Sequence, residues 1–191
     1  MHLSEILKNE LDAFRKRAGK KSLNIVETGT IRGAGDNYRA NDGWSTLTFA
    51  EYVKANGGRF VSIDLDISVA VQVLKANKLY THVQQIQGHS IDVLSGLALG
   101  AYLEKDSEEG LFDVAFLDSD NNSSLIFHEY LIVKHMMRSP GLIIVDDVDV
   151  TSTEVVKGHE ILPYAVANGI QHRLEIRQGD DMQTGVLVFE V

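Results

Sequence analysis

Cysteine is absent from the 191 residues, and proline occurs only twice. Without cysteine there is no disulfide, no thiolate zinc site and no cysteine nucleophile. Two prolines and no low-complexity tract leave no proline-rich linker. No apolar run approaches the roughly 18 residues a transmembrane helix needs. The opening segment MHLSEILKNELDAF lacks the basic-then-apolar layout of a signal peptide. These absences make a cytoplasmic protein without a membrane partner the expectation.

What is present is ordinary globular composition, with 44% hydrophobic and 24% charged residues. The length supports one domain, residues 1–191. Eighteen basic against 27 acidic residues give a formal charge of −9. Arg15, Lys16, Arg17, Lys20 and Lys21 fall within seven positions, so the rest of the chain is more acidic still. Such a body is a poor phosphate neutraliser, and no nucleic-acid partner is expected. The basic run has a local explanation. Leu3, Ile6, Leu7, Leu11 and Phe14 follow helical spacing, cations favour a helix C-terminus, and Gly19 supplies a stop. Residues 1–21 are therefore expected to hold an N-terminal helix.

Beyond it, short β-rich runs alternate with helical patterns. The runs are 23–27, 59–64, 82–87, 112–118 and 142–146, most of them near-continuously apolar, as in strands buried on both faces of a parallel sheet. Helices are predicted at 45–56, 68–77, 91–104 and 123–138, and Thr151-x-x-Glu154 reads as a capping box opening another towards Asn168. Segments 172–177 and 185–191 flank a short polar stretch and must pair antiparallel. The fold class is α/β: a doubly wound, Rossmann-like, seven-stranded mixed sheet closed by a C-terminal antiparallel hairpin.

Ligands of open α/β sheets bind beyond the carboxyl ends of the strands. The first strand runs into Glu27-Thr28-Gly29-Thr30-Ile31-Arg32-Gly33-Ala34-Gly35, where glycines allow close backbone approach. Its G-x-x-x-G-x-G spacing differs from the G-x-G-x-x-G of dinucleotide folds. Glu27 would repel a pyrophosphate but attract an ammonium group. Asp64 closes the second strand, where an acid can accept hydrogen bonds from ribose hydroxyls. Gly88-His89-Ser90 forms a small polar turn suited to an adenine edge. Asp118 ends the fourth strand and Asp146-Asp147 the fifth. Those two strands are neighbours in such a sheet, so three carboxylates converge, and a hard divalent cation would relieve their repulsion.

The pattern resembles class I S-adenosylmethionine-dependent methyltransferases, and within them the metal-dependent O-methyltransferases of the catechol, caffeoyl-CoA and macrocin types. The resemblance is carried by ETGTIRG, GWSTLTFAEYV, SIDLD, QGHSIDVL, FDVAFLDSDN and GLIIVDD, in the family's order from Glu27 to Asp147. It implies S-adenosylmethionine as cofactor, bound around Glu27, Gly29, Thr30, Gly33, Ser45, Asp64, His89, Ser90 and Asp118. In that scheme Glu27 faces the methionine amino group, Ser45 the carboxylate, Asp64 the ribose, and His89-Ser90 the adenine. It also implies a divalent cation, magnesium in the first instance, on Asp118, Asp146 and Asp147, although catechol-type members have asparagine in the third place.

Two departures stand out. The interval from Glu27 to Asp64 is longer than usual, with the excess between Gly33 and Gly43, read as a lid or part of an acceptor pocket. Where catechol-type enzymes carry a lysine base, this chain has Asn121, which can orient a hydroxyl but not take its proton. His89 and His128 are the substitutes at hand. The expected acceptor is a small-molecule hydroxyl with a neighbouring oxygen, at a shallow site or one capped by a second copy in a homodimer. The rival readings are a nucleotide-dependent oxidoreductase and a non-catalytic cofactor-binding module of the same fold.

Overall fold

The computed structural model describes residues 2–35, 44–103, 110–149, 154, 156–176 and 185–191. Seven strands form one sheet: β1 (Leu23–Thr28), β2 (Gly58–Asp64), β3 (Gln84–Gln87), β4 (Phe112–Leu117), β5 (Met137–Val148), β6 (His172–Ile176) and β7 (Gly185–Glu190). Their order across the sheet is β3-β2-β1-β4-β5-β7-β6. The first five run parallel, whereas β7 pairs antiparallel with both β5 and β6. The expected mixed sheet and terminal hairpin are what the chain forms.

Helices α1 (Leu3–Arg17), α2 (Ser45–Asn56), α3 (Ser68–Ala76), α4 (Ser90–Leu103), α5 (Ser123–Lys134) and α6 (Gly158–Ala167) cover the two faces. Alternate residues of each central strand feed opposite cores. Ile25, Val114, Phe116 and Ile144 pack with α1, α2 and α3, while Val26, Ala115, Leu117 and Val145 pack with residues of α4, α5 and α6. On the first face Phe49 sits edge-on to both Phe60 and Phe116, with ring centres 5.5 and 5.4 Å away. Apolar side chains on both faces explain why β1, β4 and β5 read as unbroken hydrophobic runs.

The basic run does structural work. Arg15, Lys16 and Arg17 fill the last turn of α1. Arg17 reaches Glu190 at 2.7 Å, and Lys20 reaches the buried Asp113 at 2.6 Å. Asp113 also accepts the Asn24 amide, at 2.6 Å, so this cluster pins α1 and β1 to β4.

Two expectations about helices need correction. The helix predicted to 138 stops at Lys134, and Met137 already pairs with Phe112 in β5. The apolar residues after Lys134 serve the strand, because Leu111 and Phe112 donate their amides to the Met136 carbonyl. The helix predicted to open at Thr151 begins instead at Gly158, and Glu154 lies in a bend before it. Thr151 itself lies outside the described residues, as does most of the Gly33–Gly43 insertion. Among the described residues no helix is long and apolar enough to cross a membrane.

Candidate active site

From β1 the chain proceeds outward through β2 to β3, and then returns to lay β4 on the other side of β1. The strand order therefore reverses between β1 and β4, and the crevice above that point is where open α/β sheets take their ligands. The loops meet closely here. Gly29 has φ +87°, and a Cβ on it would lie 2.3 Å from the Asp118 carbonyl oxygen. Only glycine satisfies both demands. The Asp118 amide in turn donates to the Thr28 carbonyl at 2.9 Å.

Glu27 ends β1 on the α2 face and is completely buried. Its carboxyl accepts three hydroxyl hydrogen bonds: Ser45 at 2.5 Å, Thr46 at 2.8 Å and Ser62 at 2.9 Å. Burial nevertheless pushes its pKa up to about 8, and the three hydroxyls recover only part of the lost hydration. Ser45 and Thr46 are the first residues of α2, so the helix start delivers them together. The sequence reading placed Ser45 at the cofactor carboxylate; here its hydroxyl is engaged by Glu27. Thr46 and Ser62 were not anticipated. Ser62 was detectable as a polar residue inside an otherwise apolar strand.

Asp64, at the end of β2, is partly exposed and holds the same loop from the other side. It accepts the Thr30 amide at 2.9 Å and the Asp66 amide at 3.1 Å. Thr30 also meets Thr46, with the two hydroxyl oxygens 3.0 Å apart. Gly33 is buried just beyond, before the insertion. Glu27, Thr30, Ser45 and Asp64 are thus one connected polar group on the β1–β2 side.

A second buried acid lies on the opposite face. Glu129, on α5, is fully buried and accepts the Thr28 hydroxyl at 2.7 Å. Burial raises its pKa despite the nearby hydroxyls of Ser119, Ser90 and Thr28. Ser90 is therefore turned towards Glu129, and His89 beside it is exposed. The signal for Glu129 was a charged residue within the apolar stripe of SSLIFHEYLIVK. His128, on the same helix, is exposed and contacts the Ser124 carbonyl at 2.7 Å, away from the crevice side occupied by Glu129.

Asp118, Asp146 and Asp147 do converge: one carboxylate oxygen from each lies within 4.8 Å of the others. Asp146 is buried, and Asp147 follows it with φ +50°, at a register shift near the end of β5 that brings both acids to one place. Oxygen donors in this number suit a hard divalent cation. A cation of the chain's own is already present. Lys157, only 2% exposed, donates to Asp118 through a very short hydrogen bond and to Asp147 at 3.4 Å. Burial alone would lower the lysine pKa, but the two carboxylates outweigh it and raise it. Burial, with Asp118 beside it, holds Asp147 above the usual carboxylate range despite the lysine.

Asn121 does not face this cluster as expected. Its amide nitrogen donates to the Glu154 carbonyl at 2.5 Å, and its amide oxygen accepts the Val156 amide at 3.0 Å. Both polar ends are spent on the segment leading to Lys157. These bonds take backbone groups that a helix starting at Thr151 would need, which accounts for the late start of α6.

Comparison with known proteins bears on the family and the fold. A family model described as a methyltransferase domain matches residues 40–148, more than half of the chain. No curated protein matches the sequence. Among solved structures, WbdD superposes with a TM-score of 0.62 at 15% identity, over 97% of this chain and 39% of its own. MycE methyltransferase from the mycinamycin pathway, in complex with Mg and SAH, gives 0.59 at 14%, over 95% and 48%. Aeropyrum pernix fibrillarin, with natively bound S-adenosyl-L-methionine, gives 0.54 at 13%, over 90% and 67%. This chain thus spans about two fifths of WbdD and half of MycE, and at these identities the likeness establishes a shared fold.

Proposed function

The chain belongs to the methyltransferase-domain family, and from that premise we propose that it uses S-adenosylmethionine to methylate a small-molecule hydroxyl, with a divalent cation, magnesium in the first instance, on Asp118, Asp146 and Asp147. The observation that carries this reading is the gathering of acids around one crevice, Glu27 on one side and the three aspartates on the other. Such a site suits a ligand bearing positive charge, as the ammonium and sulfonium of that cofactor do.

The residues present fit the cofactor. Burial holds Glu27 above its ordinary range, and a cationic group beside it would favour its charged form. Gly29 lets the β1 and β4 loops pack backbone to backbone at the sheet edge where the cofactor would lie. S-adenosylmethionine supplies an electrophilic methyl group when bound. Asp64 would accept from ribose hydroxyls while its bonds to Thr30 and Asp66 keep the loop in place. Ser90 and His89 flank the adenine side, with Ser90 braced by Glu129.

A divalent cation at the aspartates would polarise an acceptor oxygen and favour its oxyanion. The chain's own contribution is to hold three carboxylates in one place, through the β4 end and the register shift of β5 at Asp147. Asn121 orients the segment over this cluster rather than the acceptor itself. Holding the acceptor oxygen in line with the methyl group is the main task, since positioning supplies much of the rate in such transfers.

The direct test is calorimetry with S-adenosylhomocysteine, with and without magnesium. Micromolar binding is expected, abolished or strongly weakened in Glu27→Ala. Absence of binding in both conditions would sink this reading, and tight NAD binding instead would favour an oxidoreductase.

A further inference from the structure

Resting on the reading above, we propose that Lys157 is the built-in cation of the aspartate cluster, and that a divalent ion enters only by displacing it, with Asn121 setting how firmly it holds. Lys157 is almost wholly buried, yet its ammonium makes contact with two of the three carboxylates that would ligate a metal. A divalent ion at the same oxygens would sit within a few ångströms of that ammonium. The two cations repel at short range in a poorly solvated site, and they compete for the same lone pairs on Asp118 and Asp147.

The segment bearing Lys157 is held from outside the cluster. Asn121 clamps it by both ends of one amide, at the Glu154 carbonyl and the Val156 amide. Lys157 then directly precedes α6, whose Gly158 packs so tightly that a Cβ there would lie 2.5 Å from Val148 Cγ1. The lysine is fixed between a clamp and a helix start, so its approach to Asp118 is imposed by the backbone. Ion exchange at the cluster would therefore free the side chain while leaving α6 in place.

The experiment is magnesium titration by calorimetry and by thermal melting, on the wild type, Lys157→Met, Lys157→Arg and Asn121→Ala. Lys157→Met should bind magnesium at least tenfold more tightly than the wild type, and magnesium should raise its melting temperature by several degrees more. Lys157→Arg, which keeps a cation, should behave as the wild type, and Asn121→Ala should fall between. Equal or weaker magnesium affinity in Lys157→Met overturns the proposal, as does no magnesium binding by any variant. Should Lys157→Met fail to fold, acetylation of wild-type Lys157 by acetic anhydride, followed by mass spectrometry, decides the matter. Magnesium should increase its labelling several-fold, and unchanged labelling refutes displacement. S-adenosylhomocysteine titrated into the same samples separates the two ideas: cofactor binding without a Lys157 effect removes only the exchange, whereas no cofactor binding removes the function proposed.

Discussion

Replacing Glu27 by glutamine should make the protein more stable at alkaline pH and worse at binding its cofactor. Glu27 is fully buried with a pKa of about 8 against 4.5 for the free group. Between those values the unfolded chain ionises the residue while the folded chain keeps its proton. The folded state then binds more protons, so stability falls as pH rises. The stabilising contribution is complete below pH 4.5 and is lost by the time pH passes 8. At about 1.36 kcal/mol per unit the ceiling is about 5 kcal/mol, and local relaxation reduces it to about 2–3 kcal/mol. Glutamine carries no such charge. Its oxygen can accept from Thr46 and Ser62, and its nitrogen can donate to Ser45 once that hydroxyl rotates. Urea unfolding of both proteins from pH 5 to pH 9 isolates the effect, because every other titrating group cancels in the difference. The two should be nearly equal at pH 5 and should diverge in favour of glutamine by about 2 kcal/mol at pH 8.5. Calorimetry at pH 8.5 should show S-adenosylhomocysteine binding at least tenfold weaker in the variant. A stability difference that stays flat with pH would refute the claim that Glu27 is held protonated.

Other perturbations follow from the packing. Gly29→Ala forces a Cβ against the Asp118 carbonyl at positive φ and should cost at least about 2 kcal/mol, read as a lower urea midpoint together with lost cofactor binding. Asp113→Ala removes the carboxylate shared by Lys20 and the Asn24 amide, and should destabilise by about 3 kcal/mol without altering cofactor affinity in the folded protein. Phe49→Ala opens a hole between Phe60 and Phe116 and should cost about 3–5 kcal/mol by denaturation. Asp118→Asn should abolish any magnesium effect on melting temperature.

The parts of this molecule that periodicity encodes were legible without coordinates. The apolar runs of β1, β4 and β5 announce strands with two covered faces, and the polar stretch before Gly185 announces the hairpin. Helix α1 follows from five apolar positions, and its basic end finds Glu190 and Asp113. What failed was local and depended on partners distant in sequence. A capping-box pattern at Thr151 carries no information about Asn121, 33 residues from Glu154, which takes up the backbone groups there. Lys157 fell to the same blindness: nothing in Val156-Lys157-Gly158 marks a buried lysine. The three aspartates of the cluster, two of which it meets, were all identified, and the question of what neutralises them within the chain was the signal available. Glu129 and Ser62 needed less, since each is a polar residue at an apolar position of its element.

Acids gathered at one edge of a sheet pose a folding problem, because each must be accommodated when no ligand is there. The chain solves it differently for each acid. Glu27 is satisfied by three hydroxyls and a raised pKa. Glu129 likewise is held above its ordinary range by burial, with Thr28 donating to it. Asp64 is satisfied by two backbone amides. Asp118 and Asp147 take an ammonium from Lys157. These devices differ in how readily a ligand can replace them. Glu27 is enclosed by the hydroxyls of Ser45, Thr46 and Ser62, so an ammonium that takes over from its proton must displace one of them. The bonds to Asp64 are part of the loop itself. Lys157 must move physically before another cation takes its place. On the proposed reading, Glu27 and Lys157 answer to different ligands, so cofactor and metal binding should respond to different substitutions.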